Sequence, residues 1–353
     1  MFESTDYPTP DQAWWDIPWQ QCYRDFARHL WERSHSTNTV ENYAGTLTRF
    51  FDSARLPPQA VTRRDVEAFA SRPALIGPRG APYLSDKPVA ARTRNSRIAI
   101  IKSFYDYACG YEYTDLHGKL VTLIERNPTR GVKAAKETPA HRTMSEAEFT
   151  QFIAAIPRDG QVIHARDRAA FLCLFWSCKR RSELCSLTWG AIQPAIFVDP
   201  KTKATRAGWV YSVATKGSGG GVYTAELPAP AMEAIQEYIR VSGRIMQPDS
   251  PVFASIGPPS GGYGLDPYLG LSGMGLYMRM KEYLRLAGMD ERLSPHSIRH
   301  AGALTRYRNG SGVLDIMRVL GHRHLNTTQV YLEELHTEQD LGALLLLEKF
   351  GNL

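Results

Sequence analysis

The chain has 353 residues, 43% of them hydrophobic, enough to bury ordinary cores and a better match to two domains than to one. That content excludes a chain disordered throughout. Lysine and arginine outnumber aspartate and glutamate by 42 to 36, a net charge of +6, which favours a polyanionic partner without requiring one.

Cys22, Cys109, Cys173, Cys178 and Cys185 are odd in number and include no C-x-x-C pair, so they read as buried thiols of a reducing compartment. The first twenty residues, with Asp6, Asp11 and Asp16, lack the basic start and apolar core of an export signal. The longest apolar run, residues 169 to 176, is too short to span a bilayer. The expectation is a soluble cytoplasmic protein without a membrane partner.

In chain order, residues 19 to 31 put Cys22, Tyr23, Phe26 and Leu30 at helical spacing. A second helix carries Val40, Tyr43, Leu47, Phe50 and Phe51 on one stripe, with Thr37 or Asn38 as its cap. Thr62 and Asp65 open a third, which carries Val66 and Phe69. Residues 71 to 90, rich in proline and glycine, predict a long surface loop without regular elements. A fourth helix, about residues 92 to 108, buries Ile98, Ile101, Phe104, Tyr105 and Ala108. Its remaining positions hold Arg92, Arg94, Arg97 and Lys102, read as either phosphate contacts or a solvated face.

The stretch NPTRGVKAAKETPAHR has no apolar period and an excess of positive charge, the composition of a linker. The expected division is a helical domain over 1–125, a basic linker over 126–142 and a second domain over 143–353. In the second domain Ser145 and Glu148 form a capping box ahead of Phe149, Phe152, Ile153 and Ile156. A buried helix through Phe171 and Trp176 follows, then period-two alternation over 209–214 and 222–227 around a GSGGG turn. Pro228 and Pro230 open a helix with Met232, Ile235, Tyr238 and Ile239 inward. Residues 256–270 read as a second Gly/Pro-rich loop, and three helices follow over 272–287, 295–308 and 312–320, the last stopped by Gly321.

Three stretches carry chemistry. SCKRRSEL sets a basic triplet after the buried helix, a pattern that alone reads as a solvated surface feature. In HSIRH a helical spacing of three puts His296 and Arg299 on one face, within reach of a single phosphate. LGHRHLNTTQVY sets Tyr331 nine residues after His322. A tyrosine of ordinary acidity, near 10, is a poor nucleophile unless a base or a strongly cationic site eases its deprotonation.

These motifs together resemble the tyrosine recombinases, the phage integrase family. H-x-x-R-H matches at every fixed position, and the 23 residues from Arg299 to His322 are the family's spacing. The resemblance selects Arg180 in SCKRRSEL, with Glu183 and Leu184 in the matching places, although Cys178 stands where glycine is usual. Lys179 and Arg181 stand where apolar residues are common, so Arg181 remains a rival. It also assigns Lys216, ahead of GSGGG, as the acid for the leaving oxygen, with Lys201 and Lys203 as weaker competitors. TVENYAGTLTRF and NSRIAIIKSFYDYA resemble the family's N-terminal region, so nearly the whole chain is covered.

The resemblance implies a mainly α fold with a small β-sheet: an N-terminal helical core-binding, SAM-like domain and an α+β catalytic domain, clamped around DNA. It implies catalytic roles for Arg180, Lys216, His296, Arg299, His322 and Tyr331, with Arg92, Arg94, Arg97 and Lys102 on the DNA. The implied reaction needs no metal or nucleotide cofactor. Its partners would be double-stranded recombination sites, three further copies in a homo-tetramer, and accessory proteins. The alternatives are a type IB topoisomerase-like enzyme and a non-catalytic DNA-binding accessory. Leu341, Leu344, Leu345 and Phe350 form an apolar stripe, read as docking on a neighbouring subunit or packing within the chain.

Overall fold

The computed structural model describes residues 9–13, 15–73, 75–76, 83–136, 142–198, 202–214, 222–257 and 264–321. The chain divides into two compact units, Met1–Ala140 and His141–Leu353. Helices dominate both, with small antiparallel sheets. Among the described residues no helix is long and apolar enough to cross a membrane.

In the first unit α1 (Ile17–Ser34), α2 (Thr37–Ala54), α3 (Arg63–Ser71) and α4 (Ala91–Cys109) bury the stripes that their periodicity predicts. Phe104 sits at the centre, edge-on to Phe26 at 5.4 Å, Phe51 at 5.7 Å and Tyr23 at 5.9 Å between ring centroids. Edge-on packing of this kind adds about 0.5–1.5 kcal/mol per pair to what burial supplies.

The cap of α2 is Ser36 rather than Thr37 or Asn38. Ser36 keeps an extended backbone (φ −136°) while its hydroxyl accepts from the Thr39 N–H, whereas Thr37 and Asn38 already lie inside the helix. Thr62 and Asp65 do form a capping box for α3, the carboxylate accepting from the Thr62 N–H at 2.8 Å.

Where sequence predicts an irregular loop over 71–90, β1 (Leu75–Ile76) and β2 (Tyr83–Leu84) pair antiparallel. A hairpin of β3 (Glu112–Thr114) and β4 (Leu120–Thr122) follows α4. The stretch expected to act as a linker from residue 126 is pinned to α4 as far as Ala135. Asn95 satisfies both backbone groups of Ala135 (2.8 and 2.9 Å), Arg94 donates to the Lys133 carbonyl (2.7 Å), and Asn127 donates to Asp106 (2.7 Å).

The second unit runs α5 (Glu146–Ala154), α6 (Val162–Ser177) and the short α7 (Arg181–Cys185). A meander of β5 (Ile192–Val198), β6 (Thr205–Ala214) and β7 (Val222–Leu227) comes next, then α8 (Ala229–Ser242). β5 is a strand with no counterpart in the sequence-based expectation. Two further strands, β8 (Ala254–Gly257) and β9 (Gly264–Gly270), occupy most of the predicted second loop, with a bulge between Ala254 and Ser255. The unit continues through α9 (Gly273–Leu286), α10 (Pro295–Arg308) and α11 (Val313–Leu320).

α6 is the central rod, with Ala169, Ala170, Phe171, Cys173 and Leu174 all buried. On one side Asp167, wholly buried, accepts from Arg166 (2.6 and 2.9 Å) and, through its other oxygen, from Arg279 (2.6 Å) and Tyr283 (2.8 Å) on α9. On the other side α10 crosses at Gly302, where a Cβ would lie 2.0 Å from the Phe175 carbonyl oxygen. Only glycine permits this approach, and it sets α10 one turn after Arg299 hard against the end of α6.

Candidate active site

α6 ends at Cys178 with φ 52°, in the left-handed region where glycine is at ease and a side chain is strained. The Cys178 thiol donates to the Phe175 carbonyl at 3.3 Å and packs with Ala303, Ile316 and Leu320. This turn sends the three following cations in different directions.

Lys179 is buried, and its ammonium donates to the Val319 carbonyl at 2.9 Å. Arg180, about a third exposed at 34%, makes two bonds to Glu183, from its backbone N–H and from Nη1, each 2.8 Å. Arg181 turns away to α9: a Cβ on Gly273 would lie 2.9 Å from its Nε, and its guanidinium stands 5.9 Å from the Tyr277 ring centroid. Of the two rivals, it is Arg180 that the fold turns toward Glu183.

Arg299 reaches the same carboxylate from α10. It is 1% exposed, its Nη1 lies 4.0 Å from Glu183, and its Nη2 donates to the Leu320 carbonyl at 2.6 Å. Gly321 closes α11 with φ 63°, and a Cβ there would come within 3.9 Å of Arg180 Nη1. Arg180 and Arg299 therefore meet over one buried carboxylate, beside the turn that precedes His322 in sequence. His296 is exposed on the first turn of α10, its ring edge-on to His300 with centroids 4.3 Å apart. Lys216, His322 and Tyr331 lie outside the described residues, as do Lys201 and the apolar stripe after residue 340.

The electrostatics are those of a cation-rich site gathered on the buried Glu183 carboxylate. Burial pushes the Lys179 ammonium down to about 8, against the pull of Glu183, with Arg299 adding to the fall. Burial also pushes the Cys178 thiol up, although Arg306 and Arg299 oppose it. Glu183 fixes Arg180 in place, and about a third of the Arg180 side chain is exposed. Fixed cations of this kind stabilise charge that develops on a phosphate without reorganising during reaction.

In the first unit, three of the four expected phosphate contacts are engaged within the chain. Arg97 donates to the Phe69, Ala70 and Arg72 carbonyls (3.1, 3.4 and 2.5 Å), closing the end of α3. Arg94 holds Lys133 and Ser71, and Lys102 pairs with Asp106 at 2.5 Å. Arg92 lines an open groove together with Arg49, Arg55, Arg72, Arg97 and Asp52. Burial first, then the neighbouring Arg49 and Arg72, lower the pKa of Arg97, so the guanidinium groups in this groove repel one another. Sequence reasoning missed Arg49, Arg55 and Arg72. For Arg49 the signal available was its place with the exposed Asn42 and Ser53 on α2, away from the apolar stripe.

The second unit thus holds an arginine pair over a buried carboxylate and the first an arginine-lined groove, sets of fixed cations suited to phosphate oxygens. Residues 142–338 match the phage integrase family, and residues 24–110 match the phage integrase N-terminal SAM-like domain. The chain belongs to the phage integrase family. Among curated proteins it is 27% identical over 311 residues to the tyrosine recombinase XerA of Pyrococcus furiosus, covering 88% of each chain. It is 30% identical over 243 residues to the tyrosine recombinase XerC of Xylella fastidiosa, covering 69% of this chain and 70% of that one. In fold it is similar to the XerH site-specific recombinase in its post-cleavage complex with palindromic difH substrate, with a TM-score of 0.63 at 14% identity over 98% of this chain and 92% of that one. It is also similar to a lambda integrase dimer bound to a COC′ core site, with a TM-score of 0.61 at 14% identity over 91% and 97% of the two chains.

Proposed function

We propose that this chain is a site-specific tyrosine recombinase that cuts and rejoins DNA through a 3′-phosphotyrosyl intermediate, and that it integrates or excises a mobile element. Its support is the junction of Arg180 and Arg299 on Glu183, beside the turn that leads in sequence to His322. The family membership and the recombinase relatives agree with that reading.

In this reading Arg180 and Arg299 neutralise the non-bridging oxygens of the scissile phosphate, and His296 and His322 orient it by hydrogen bonds. The Tyr331 hydroxyl releases its proton to water as its oxygen bonds to phosphorus and the bond to the 5′-oxygen breaks; Lys216 gives that oxygen a proton and takes one back from water. The free 5′-hydroxyl of a partner duplex then attacks the phosphotyrosine, restoring a phosphodiester and the tyrosine. The bond energy is retained in the covalent link, so no cofactor enters. Four copies act on two duplex sites, each copy closing its two domains around DNA. Arg92 and the groove arginines meet backbone phosphates, while Arg94 and Arg97 also tie α4 to the end of α3, and Lys102 adds to the attraction of this unit for DNA.

A duplex nicked near the cut site tests the chemistry, because loss of the short fragment traps the covalent adduct. Wild-type protein is expected to accumulate adduct and Tyr331→Phe none. Adduct from the phenylalanine variant would refute the assignment of the nucleophile. Exchange of flanks between two sites in one reaction separates recombination from resealing of a single strand.

A further inference from the structure

α11 ends at Leu320, where the last carbonyls have no partner within the helix and the helix dipole gathers negative charge. Two buried cations from different elements answer it. Arg299 comes from α10 and binds the Leu320 carbonyl; Lys179 comes from the turn between α6 and α7 and binds the Val319 carbonyl. Arg299 has a counterpart in the family pattern. The resemblance assigns Lys179 no role, and burying an ammonium is costly unless it is paired.

We propose that Lys179 is a positioning residue for strand cleavage: with Arg299 it holds the end of α11, and so sets the backbone from which the chain continues to His322. The proposal rests on the strand-cleavage reading of the site. Every element packed around the ammonium bears on its charge. Glu183 on α7 attracts it, Arg299 on α10 and the adjacent Arg180 repel it, and Cys178 closes the end of α6. Tyr211 on β6 shares a small cavity with Lys179 and Glu183.

Loss of the Lys179 proton weakens the bond to Val319 and removes one of the cations balancing Glu183. The carboxylate then turns more fully to Arg180 and Arg299, the groups that must hold a phosphate. With burial setting the ammonium near 8, the clamp opens as pH rises through that value. Deprotonation of the nucleophilic tyrosine pulls the rate the other way over the same range, so the effect is read from variants against wild type.

The test is the single-turnover rate of adduct formation by full-length protein on the nicked duplex, from about pH 6.5 to 9.5. Wild type is expected to fall behind Lys179→Arg progressively above pH 8, because arginine keeps its charge throughout. Lys179→Met is expected to be slower at neutral pH by roughly 10- to 100-fold, the scale of a slight misplacement of reacting groups, with DNA affinity retained. The arginine variant keeps the test decisive should the methionine variant not fold. Parallel pH profiles for wild type and Lys179→Arg, or a Lys179→Met rate equal to wild type at every pH, would overturn the inference alone. Absence of adduct from wild type at every pH would overturn the recombinase reading and this inference with it.

Discussion

Gly302 fixes the distance between the helix that carries Arg299 and the rod against which it packs, and Gly302→Ala tests that dependence. The added methyl would start 2.0 Å from the Phe175 oxygen and 2.9 Å from Cys178 Sγ, whereas ordinary contact begins at 3.4 Å. The neighbour at 2.0 Å is backbone inside α6, so relief requires α10 to retreat by up to about 1.4 Å, the gap between those two distances. Overpacking in a close-packed core costs roughly 1–3 kcal/mol, occasionally more, and alanine returns about 1 kcal/mol of helix propensity. The contact here is severe enough to put the net loss near 2 kcal/mol, which for a unit of about 200 residues lowers Tm by roughly 4–8 °C. A retreat of α10 also draws Arg299 away from Glu183 and Leu320, so adduct formation on the nicked duplex should fall by at least about tenfold in protein that is still folded. Differential scanning calorimetry and the adduct assay on the same sample measure the two effects. An alanine variant that melts and cleaves as wild type does would refute the close-approach argument.

Arg180→Ala should reduce the cleavage rate by about 10²–10³, the usual loss when one stabilising donor is removed, while Arg181→Ala stays within a few-fold; the reverse ranking would shift the role to Arg181. Lys179 also makes stability depend on pH. Folding lowers its pKa from 10.5 to about 8, so between those values the unfolded chain binds more protons, and stability rises with pH through the window by up to roughly 3 kcal/mol. Urea unfolding of wild type and Lys179→Met at pH 7.5 and about pH 10 should show that rise in the first and not from this group in the second. On DNA, Arg92→Gln should make the slope of log affinity against log salt shallower by about 0.9, whereas Lys102→Met, which removes a group already paired with Asp106, should change it less. Equal changes in slope would place both side chains on phosphate.

The helices were legible because their stripes are long and their caps are local. The capping boxes at Thr62 and Ser145 and the stop at Gly321 each need only a few neighbouring residues. What sequence missed depends on partners far along the chain. β5 contains Pro194 and gains its identity from β6, and β8 and β9 pair across residues whose composition reads as loop. At the site, the family pattern picked Arg180, but its separation from Arg181 comes from the left-handed turn at Cys178 and from the packing of Arg181 on α9. The Asp167 network was invisible for the same reason: Arg279 and Tyr283 are more than a hundred residues from the carboxylate they serve. In the helical unit, the polar face of α4 offers phosphate contacts or a solvated face by sequence alone; that the Arg97 fork satisfies carbonyls at the end of α3 depends on residues more than twenty positions away.

Cys178 shows how the strain next to this site is offset. A side chain at φ 52° costs about 1–2 kcal/mol that glycine would not incur. The thiol it carries is fully buried and fills the space that Gly302 leaves empty, since a Cβ at Gly302 would come within 2.9 Å of the sulfur. It also packs on Ala303 of α10 and on Ile316 and Leu320 of α11. The strained residue thereby joins the three helices that supply the cluster: α6 leads into Lys179 and Arg180, α10 bears Arg299, and α11 ends in the carbonyls that Lys179 and Arg299 hold. Glycine at this position would relax the backbone and leave a void where those helices meet. The strain and the packing that compensates it are therefore parts of one arrangement, which keeps the two arginines directed at the same carboxylate.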